Sequence, residues 1–363
     1  MGELYLIDYF DSLLDKYEKG ELFEPLILNL LITNRCNLNC KHCFNWEANN
    51  NAQLKDLIYE EYVKIASSAG KIGMVMVAGG EPFLRDDLPE IVDLFVKTNE
   101  VQSFGFATNG FDMNRTVTSL ERILNQNPQV SVGVAFSIDG PKEIHNFIRN
   151  NDKAFSNAMA TWAEVKKLKE KHKNLTLGVS SVVNSYNQDH LDELYELLAN
   201  EMEPDDIYVL LIRQSPRDTN SKKELDIGKY EGFAKRVRDF EMKKKCTDRF
   251  SALARASQLL TSELVARTVK TNKQQLRCMA GLCSLVIDNE GGVYACECRK
   301  PVAKLRENDY DFNKIFCSEE FKKERELIKS CFCTQETQGI VPSVPFSREH
   351  KDELEEIIDR LML

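Results

Sequence analysis

The chain has 363 residues, 42% of them hydrophobic and 29% charged, and its 48 Lys and Arg against 57 Asp and Glu leave a net charge of −9. An acidic surplus disfavours a general binder of phosphate backbones, so no nucleic-acid partner is expected. No apolar run reaches the roughly 18 residues of a membrane span, and no basic-then-apolar N-terminal segment signals export.

A cytoplasmic protein with no membrane contact is therefore expected, and its eleven cysteines read as metal or cluster ligands because cytosolic thiols are kept reduced. Leu26 to Ile32 reads as a first buried strand, and three cysteines follow in Cys36-Asn37-Leu38-Asn39-Cys40-Lys41-His42-Cys43. A [4Fe-4S] cubane has four irons, so three thiolates leave one iron free to bind a group that is not protein.

Apolar, β-branched runs predict further strands at 73–77, 103–107, 131–136, 175–183 and 207–212. Amphipathic helical stretches alternate with them at 57–68, 88–98, 116–125, 154–171 and 191–200. Six such units imply a parallel sheet, open or closed into a partial barrel, with function at the C-terminal strand ends.

Three strand-end loops carry candidate groups. The two glycines of Ala78-Gly79-Gly80-Glu81-Pro82 let backbone approach a ligand, and its carboxylate can hold a cationic amine. Ala107-Thr108-Asn109-Gly110 and Phe136-Ser137-Ile138-Asp139-Gly140-Pro141 offer small polar groups, though strand-terminating turn chemistry explains both equally. Arg149 reads as a ligand contact or a surface ion-pair residue; Arg213 and Arg217 read as an anion-binding pair or as part of a solvated loop.

Residues 219–277 form a helical connector with helices near 229–245 and 251–269. Seven of the eleven cysteines then fall between Cys278 and Cys333. Cys278 and Cys296 flank a hairpin with strands at 285–287 and 293–295 turning on Asn289-Glu290-Gly291-Gly292. The expected domains are a 1–25 extension, a 26–218 barrel, the connector, a 278–340 cysteine module and a 341–363 C-terminal helix.

The triplet resembles the C-x3-C-x2-C signature of the radical S-adenosylmethionine (radical SAM) enzymes, with Phe44 as the aromatic residue after the third cysteine. The resemblance implies an α/β partial (β/α)6 TIM-type barrel and a [4Fe-4S] cluster on Cys36, Cys40 and Cys43, with SAM on the open iron. Gly79, Gly80, Glu81 and Pro82 would receive the methionine amino group, and Ser137 and Arg149 the ribose and carboxylate. Phe44, Asn109 and Leu211 would face the same mouth.

An electron from a flavodoxin- or ferredoxin-type donor would then split SAM into methionine and a 5′-deoxyadenosyl radical that abstracts hydrogen from substrate.

The cysteine-rich segment resembles the SPASM and twitch modules that follow such barrels. It departs from the fuller SPASM pattern, because Thr337 stands where another cysteine is expected. One auxiliary [4Fe-4S] cluster is implied, on Cys278, Cys296, Cys331 and Cys333, with Cys283 or Cys298 as substitutes; a zinc knuckle is the alternative.

The expected function is a radical SAM oxidoreductase or transferase-type enzyme acting on a small polar metabolite or sugar derivative. Few residues precede the first strand, where peptide-modifying relatives often carry a leader-binding domain. A maturase of a ribosomally made peptide and a non-catalytic iron-sulfur electron-transfer or redox-sensing protein are the alternatives.

Overall fold

A computed structural model describes residues 6–363, so the first five residues of the expected extension lie outside the described residues. The strands are β1 (Ile27–Thr33), β2 (Met74–Gly79), β3 (Ser103–Thr108), β4 (Ser131–Ser137), β5 (Leu175–Val183), β6 (Asp206–Leu211), β7 (Ser284–Ile287), β8 (Gly292–Tyr294) and β9 (Ala303–Lys304).

The helices begin with α1 (Leu6–Glu18), α2 (Tyr59–Ala69), α3 (Leu88–Asn99), α4 (Met113–Gln126), α5 (Lys142–Arg149), α6 (Ala154–Lys171) and α7 (Leu191–Glu196). They continue with α8 (Ile227–Glu241), α9 (Arg249–Thr271), α10 (Phe312–Phe316), α11 (Glu319–Ile328), α12 (Val341–Ser343) and α13 (Lys351–Met362). No helix among the described residues is long and apolar enough to cross a membrane.

Strands β1 to β6 pair in parallel in sequence order, each joined to the next through helix, as the alternating pattern predicts. The two faces of this sheet differ in side-chain size. Leu30, Val77, Phe106, Val134 and Leu177 stand side by side in register and are buried in one core with helix residues such as Phe95 and Leu120. The alternate positions are small: Gly105 pairs with Gly133, and Ala107 with Ala135 and then Gly178.

Because side chains alternate along a strand, the large row packs on the helices, while the small row admits neighbouring side chains on the opposite face, Met76 beside Gly105 and Tyr208 beside Gly178. Ala107 and Ser137 on that face keep contact with solvent.

The cysteine-rich segment does not stand apart from this sheet. The predicted hairpin forms as β7 and β8, and β7 then adds to β1 in parallel, from Ile27 beside Ser284 to Leu30 beside Ile287. The nine strands run in the order β6-β5-β4-β3-β2-β1-β7-β8-β9. Without β7, strand β1 would expose a row of unpaired backbone groups, and all four residues of β7 are buried in covering it. Asn29 Nδ2 adds a bond to the Leu285 carbonyl at 3.0 Å.

A second tie joins the segment after β9 to α2. Glu61 accepts from Arg306 Nε at 2.7 Å and Nη2 at 3.0 Å, and from the Tyr310 hydroxyl at 2.7 Å. The Arg306 hydrogen bond leads in holding Glu61 down to about 2, from 4.5. A depressed acid stabilises the fold fully above its unfolded value and loses that contribution as pH falls through the folded one.

Glu61→Gln is therefore expected to cost about 1.5–3 kcal/mol at pH 7, the range for hydrogen bonds to charged groups. In denaturant unfolding its deficit against the parent should shrink as pH drops from 4.5 towards 2. An equal deficit at both ends would refute the assignment.

Candidate iron-sulfur active site

The loop after β1 carries the triplet, and its shape is held by backbone bonds to neighbouring loops. Asn50, in the left-handed region at φ +59°, accepts from Cys36 N at 2.9 Å and donates to Cys36 O at 2.8 Å. Lys41 N donates to Ile148 O at 2.8 Å, and Arg217 N to Cys43 O at 2.9 Å. Asn49 Nδ2 lies 3.5 Å from Cys43 Sγ, and Leu38 packs with Cys40 and Ala154.

Burial, with a smaller push from the neighbouring Cys40, raises the Cys36 thiol to about 12 and the Cys43 thiol to about 11. Three bare thiolates would repel in this enclosed loop, whereas a bound cationic group stabilises them, so the donor set fits an iron cluster. Among the described residues, no group of three or more His, Cys, Asp or Glu side chains is arranged to hold a single metal ion.

The Gly79-Gly80-Glu81-Pro82 loop lies directly on this one. Gly80 N donates to Thr33 O at 2.8 Å, and Glu81 N to Arg35 O at 2.7 Å. A Cβ on Gly80 would stand 2.1 Å from Arg35 O, and Gly79 holds φ +122° with Thr33 O 2.6 Å from where its Cβ would be. Pro82 opens a short helical turn over residues 82–84.

The Glu81 carboxylate, in a residue only 2% exposed, accepts from Thr108 Oγ1 at 2.9 Å, Asn109 N at 2.8 Å and Phe83 N at 3.4 Å. It braces the β2 loop against the β3 loop. Asn109 extends the brace through Nδ2 to Asn37 Oδ1 at 2.8 Å, between the first two cysteines. Burial raises Glu81 to about 7 against these donors.

Arg149 is buried, which departs from the surface ion-pair reading; its Nη2 meets Asp139, its Nη1 lies near Cys40 Sγ, and its Nε has no hydrogen-bond partner among the described residues. Ser137 ends β4 beside Ser180, half-buried on the small-residue face. Leu211 contributes its backbone, which donates to Glu336 Oε1 at 2.7 Å.

Arg213 is not free for an anion. It bridges Glu297 at 2.8 Å and Glu336 at 3.2 Å, with its guanidinium 5.3 Å from the centre of the Phe44 ring. Arg217 is exposed beside Trp46. Glu336, raised to about 7 mainly by burial, and Glu297 escaped the sequence reading, although a charged residue between Cys296 and Cys298 was a usable sign. The Arg213 network thus connects the residue after the triplet with the second cysteine group.

In that second group the Cys296 and Cys298 thiols interact directly, as do those of Cys331 and Cys333, and Cys278 is electrostatically coupled to Cys331, Cys298 and Cys333. A hydrogen bond from Cys333, with Arg299 nearby, holds Cys331 down to about 6. Gln214 Nε2 is 3.0 Å from Cys298 Sγ. Cys283 is instead a core residue, 1% exposed, whose thiol donates to Met279 O at 3.3 Å.

The unclosed parallel sheet, the cysteine triplet at its strand ends and the interlocked glycine loop define a partial-barrel iron-sulfur enzyme. The Radical SAM superfamily model matches residues 30–198, which marks this stretch as a radical SAM domain, one that uses a [4Fe-4S] cluster and S-adenosylmethionine.

Among known proteins it is 27% identical over 296 residues to the Cysteine-type anaerobic sulfatase-maturating enzyme of Clostridium novyi (strain NT), covering 74% of this chain and 73% of that one. It is 34% identical to the GTP 3',8-cyclase of Aquifex aeolicus (strain VF5) over 30% of this chain and only 34% of the cyclase.

In fold it resembles anSMEcpe with bound AdoMet, at TM-score 0.58, 18% identity and 93% coverage of both chains. It also resembles Streptococcus suis SuiB, at TM-score 0.59, 14% identity and coverage of 87% of this chain and 71% of SuiB.

Proposed function

We propose that this enzyme oxidises or cross-links a side chain of a peptide or protein substrate, with Cys36, Cys40 and Cys43 holding the SAM-binding cluster. Cys278, Cys331 and Cys333, with Cys296 or Cys298, would hold an auxiliary cluster. The observation that carries the reading is the reach of the similarity to the sulfatase-maturating enzyme, which runs through nearly three quarters of each chain.

The preference for a small metabolite rested on the short segment before β1. A native anSMEcpe structure holds the Cp18Cys peptide in a fold that this chain matches over 93% of its own length and 96% of the other. That a fold of this extent holds a peptide in anSMEcpe favours a peptide over a small molecule here.

Bound at these residues, the cluster and SAM would supply the radical that removes a hydrogen atom from the substrate. The chain's own groups position and shield. Glu81 and Asn109 lock the β2 and β3 loops to the triplet, and Arg213 with its two carboxylates ties the second cysteine group to β6. A flavodoxin- or ferredoxin-type protein would donate the electron.

Anaerobically reconstituted protein, given SAM, dithionite and peptides centred on cysteine or serine, should form 5′-deoxyadenosine with a peptide product altered in mass. Stimulation by sugars or small metabolites but by no peptide would overturn the substrate class. A yield no greater than that of a Cys36→Ala control would overturn the enzyme reading.

A further inference from the structure

Arg149 ends α5 beneath the cysteine loop and is 6% exposed. Nη2 meets Asp139 Oδ2 at 2.6 Å, while Nη1 lies 3.7 Å from Cys40 Sγ. Both partners are held in place by other bonds. Asp139 Oδ1 accepts from Val182 N at 3.0 Å, its carbonyl from Asn187 Nδ2 at 2.8 Å, and its own N donates to His145 Nδ1 at 3.2 Å. The bond from Lys41 N to Ile148 O fixes the cysteine loop to the residue before Arg149.

A buried ion pair is weak evidence of stabilisation, because desolvation consumes most of the attraction. An arginine in a fixed fork has donors left over, and here one of them is directed at a sulfur. We propose that Arg149 donates an N–H···S hydrogen bond to the Cys40 thiolate and that Asp139 moderates its charge, the pair together setting the reduction potential of the cluster on Cys36, Cys40 and Cys43. The proposal rests on those three cysteines being the ligands.

The couple takes up one electron and breaks no bond, so the effect is electrostatic. A donor and a positive charge beside a ligand sulfur favour the reduced, more negative cluster and raise its potential. The Asp139 carboxylate opposes this. Removing the two partners should therefore shift the potential in opposite directions, which general loosening of the site would not do.

The test is an EPR-monitored redox titration of the full chain, reconstituted anaerobically and without SAM, with iron counted in each sample. The spectrum of Cys36→Ala protein, subtracted, removes the auxiliary signal. Arg149→Met should lower the reduced fraction about tenfold at fixed potential, equal to about 59 mV for one electron, and Asp139→Asn should raise it. Arg149→Lys, which keeps charge without the fork, should fall between parent and Arg149→Met.

If Arg149→Met fails to hold iron, Asp139→Asn and Arg149→Lys decide the sign. Unchanged midpoints at full iron content, or shifts of the same sign for Arg149 and Asp139 variants, overturn the proposal. Iron content unaffected by Cys36→Ala would instead overturn the ligand assignment itself.

Discussion

Replacing Cys36 with alanine is expected to reduce 5′-deoxyadenosine formation to the level of a protein-free control while leaving the fold in place. Cys36 is on a loop, half-buried, and outside the main core, so losing its sulfur should cost no more than about 1 kcal/mol. Its chemical effect is all-or-none, because two thiolates do not hold a site-differentiated cubane.

Iron should fall by about four atoms per chain, one cubane's worth, with the remainder bound at the second cysteine group. Cys283→Ala makes the contrasting case. Its thiol is in the core, so the variant should lose about 1–2 kcal/mol of stability yet keep its iron. Iron analysis beside thermal unfolding separates the two, and iron loss in Cys283→Ala would place that cysteine among the ligands.

Gly80→Ala carries the second large effect. The added carbon would lie 2.1 Å from Arg35 O, 2.7 Å from Arg35 C and 3.1 Å from Asn34 C, all backbone atoms that have no rotamer by which to yield. Either the β2 loop or the loop carrying Cys36 must move, and both are locked, by Gly80 N on Thr33 O and by Glu81 on Asn109.

A shift of about 1 Å between groups that must act together costs on the order of 100-fold in rate. We expect that loss in SAM cleavage, with roughly 2–4 kcal/mol of stability lost to overpacking and strain. Gly232→Ala is the control: its Cβ meets nothing within 4 Å on α8, and alanine there should stabilise by about 0.5–1 kcal/mol. Equal SAM cleavage by Gly80→Ala and parent protein would contradict the close approach.

Much of the barrel was legible because its signals are local. Each strand announces itself by a short apolar run, and β5 and α6 fall at the residues the pattern predicts. The predicted hairpin was likewise readable from its turn, where Asp288 accepts from Glu290 N and Gly292 N. The partner of β7 was not, because an apolar strand declares that it will be buried without naming the edge it covers. Asn29 and Leu285 are 256 residues apart.

The same reason explains why the partners of the charged side chains were not legible. Glu81, Arg149 and Arg213 were identified as charged residues near the strand ends. A charge in sequence carries no record of the opposite charge or donor that the fold will set beside it. Burial then demands partners: Glu81 braces loops, Arg213 bridges Glu297 and Glu336, and Arg149 is held by Asp139.

By itself the sequence determined the cluster chemistry, since three cysteines with this spacing on one loop carry their own geometry. Only the tertiary structure decided that the hairpin between Cys278 and Cys296 joins the sheet beside β1, and that Arg149 and Asp139 stand behind Cys40. Thiolate spacing within eight residues is a local property of the chain, whereas the electric field at that thiolate is the sum of groups brought from β4, α5 and β5.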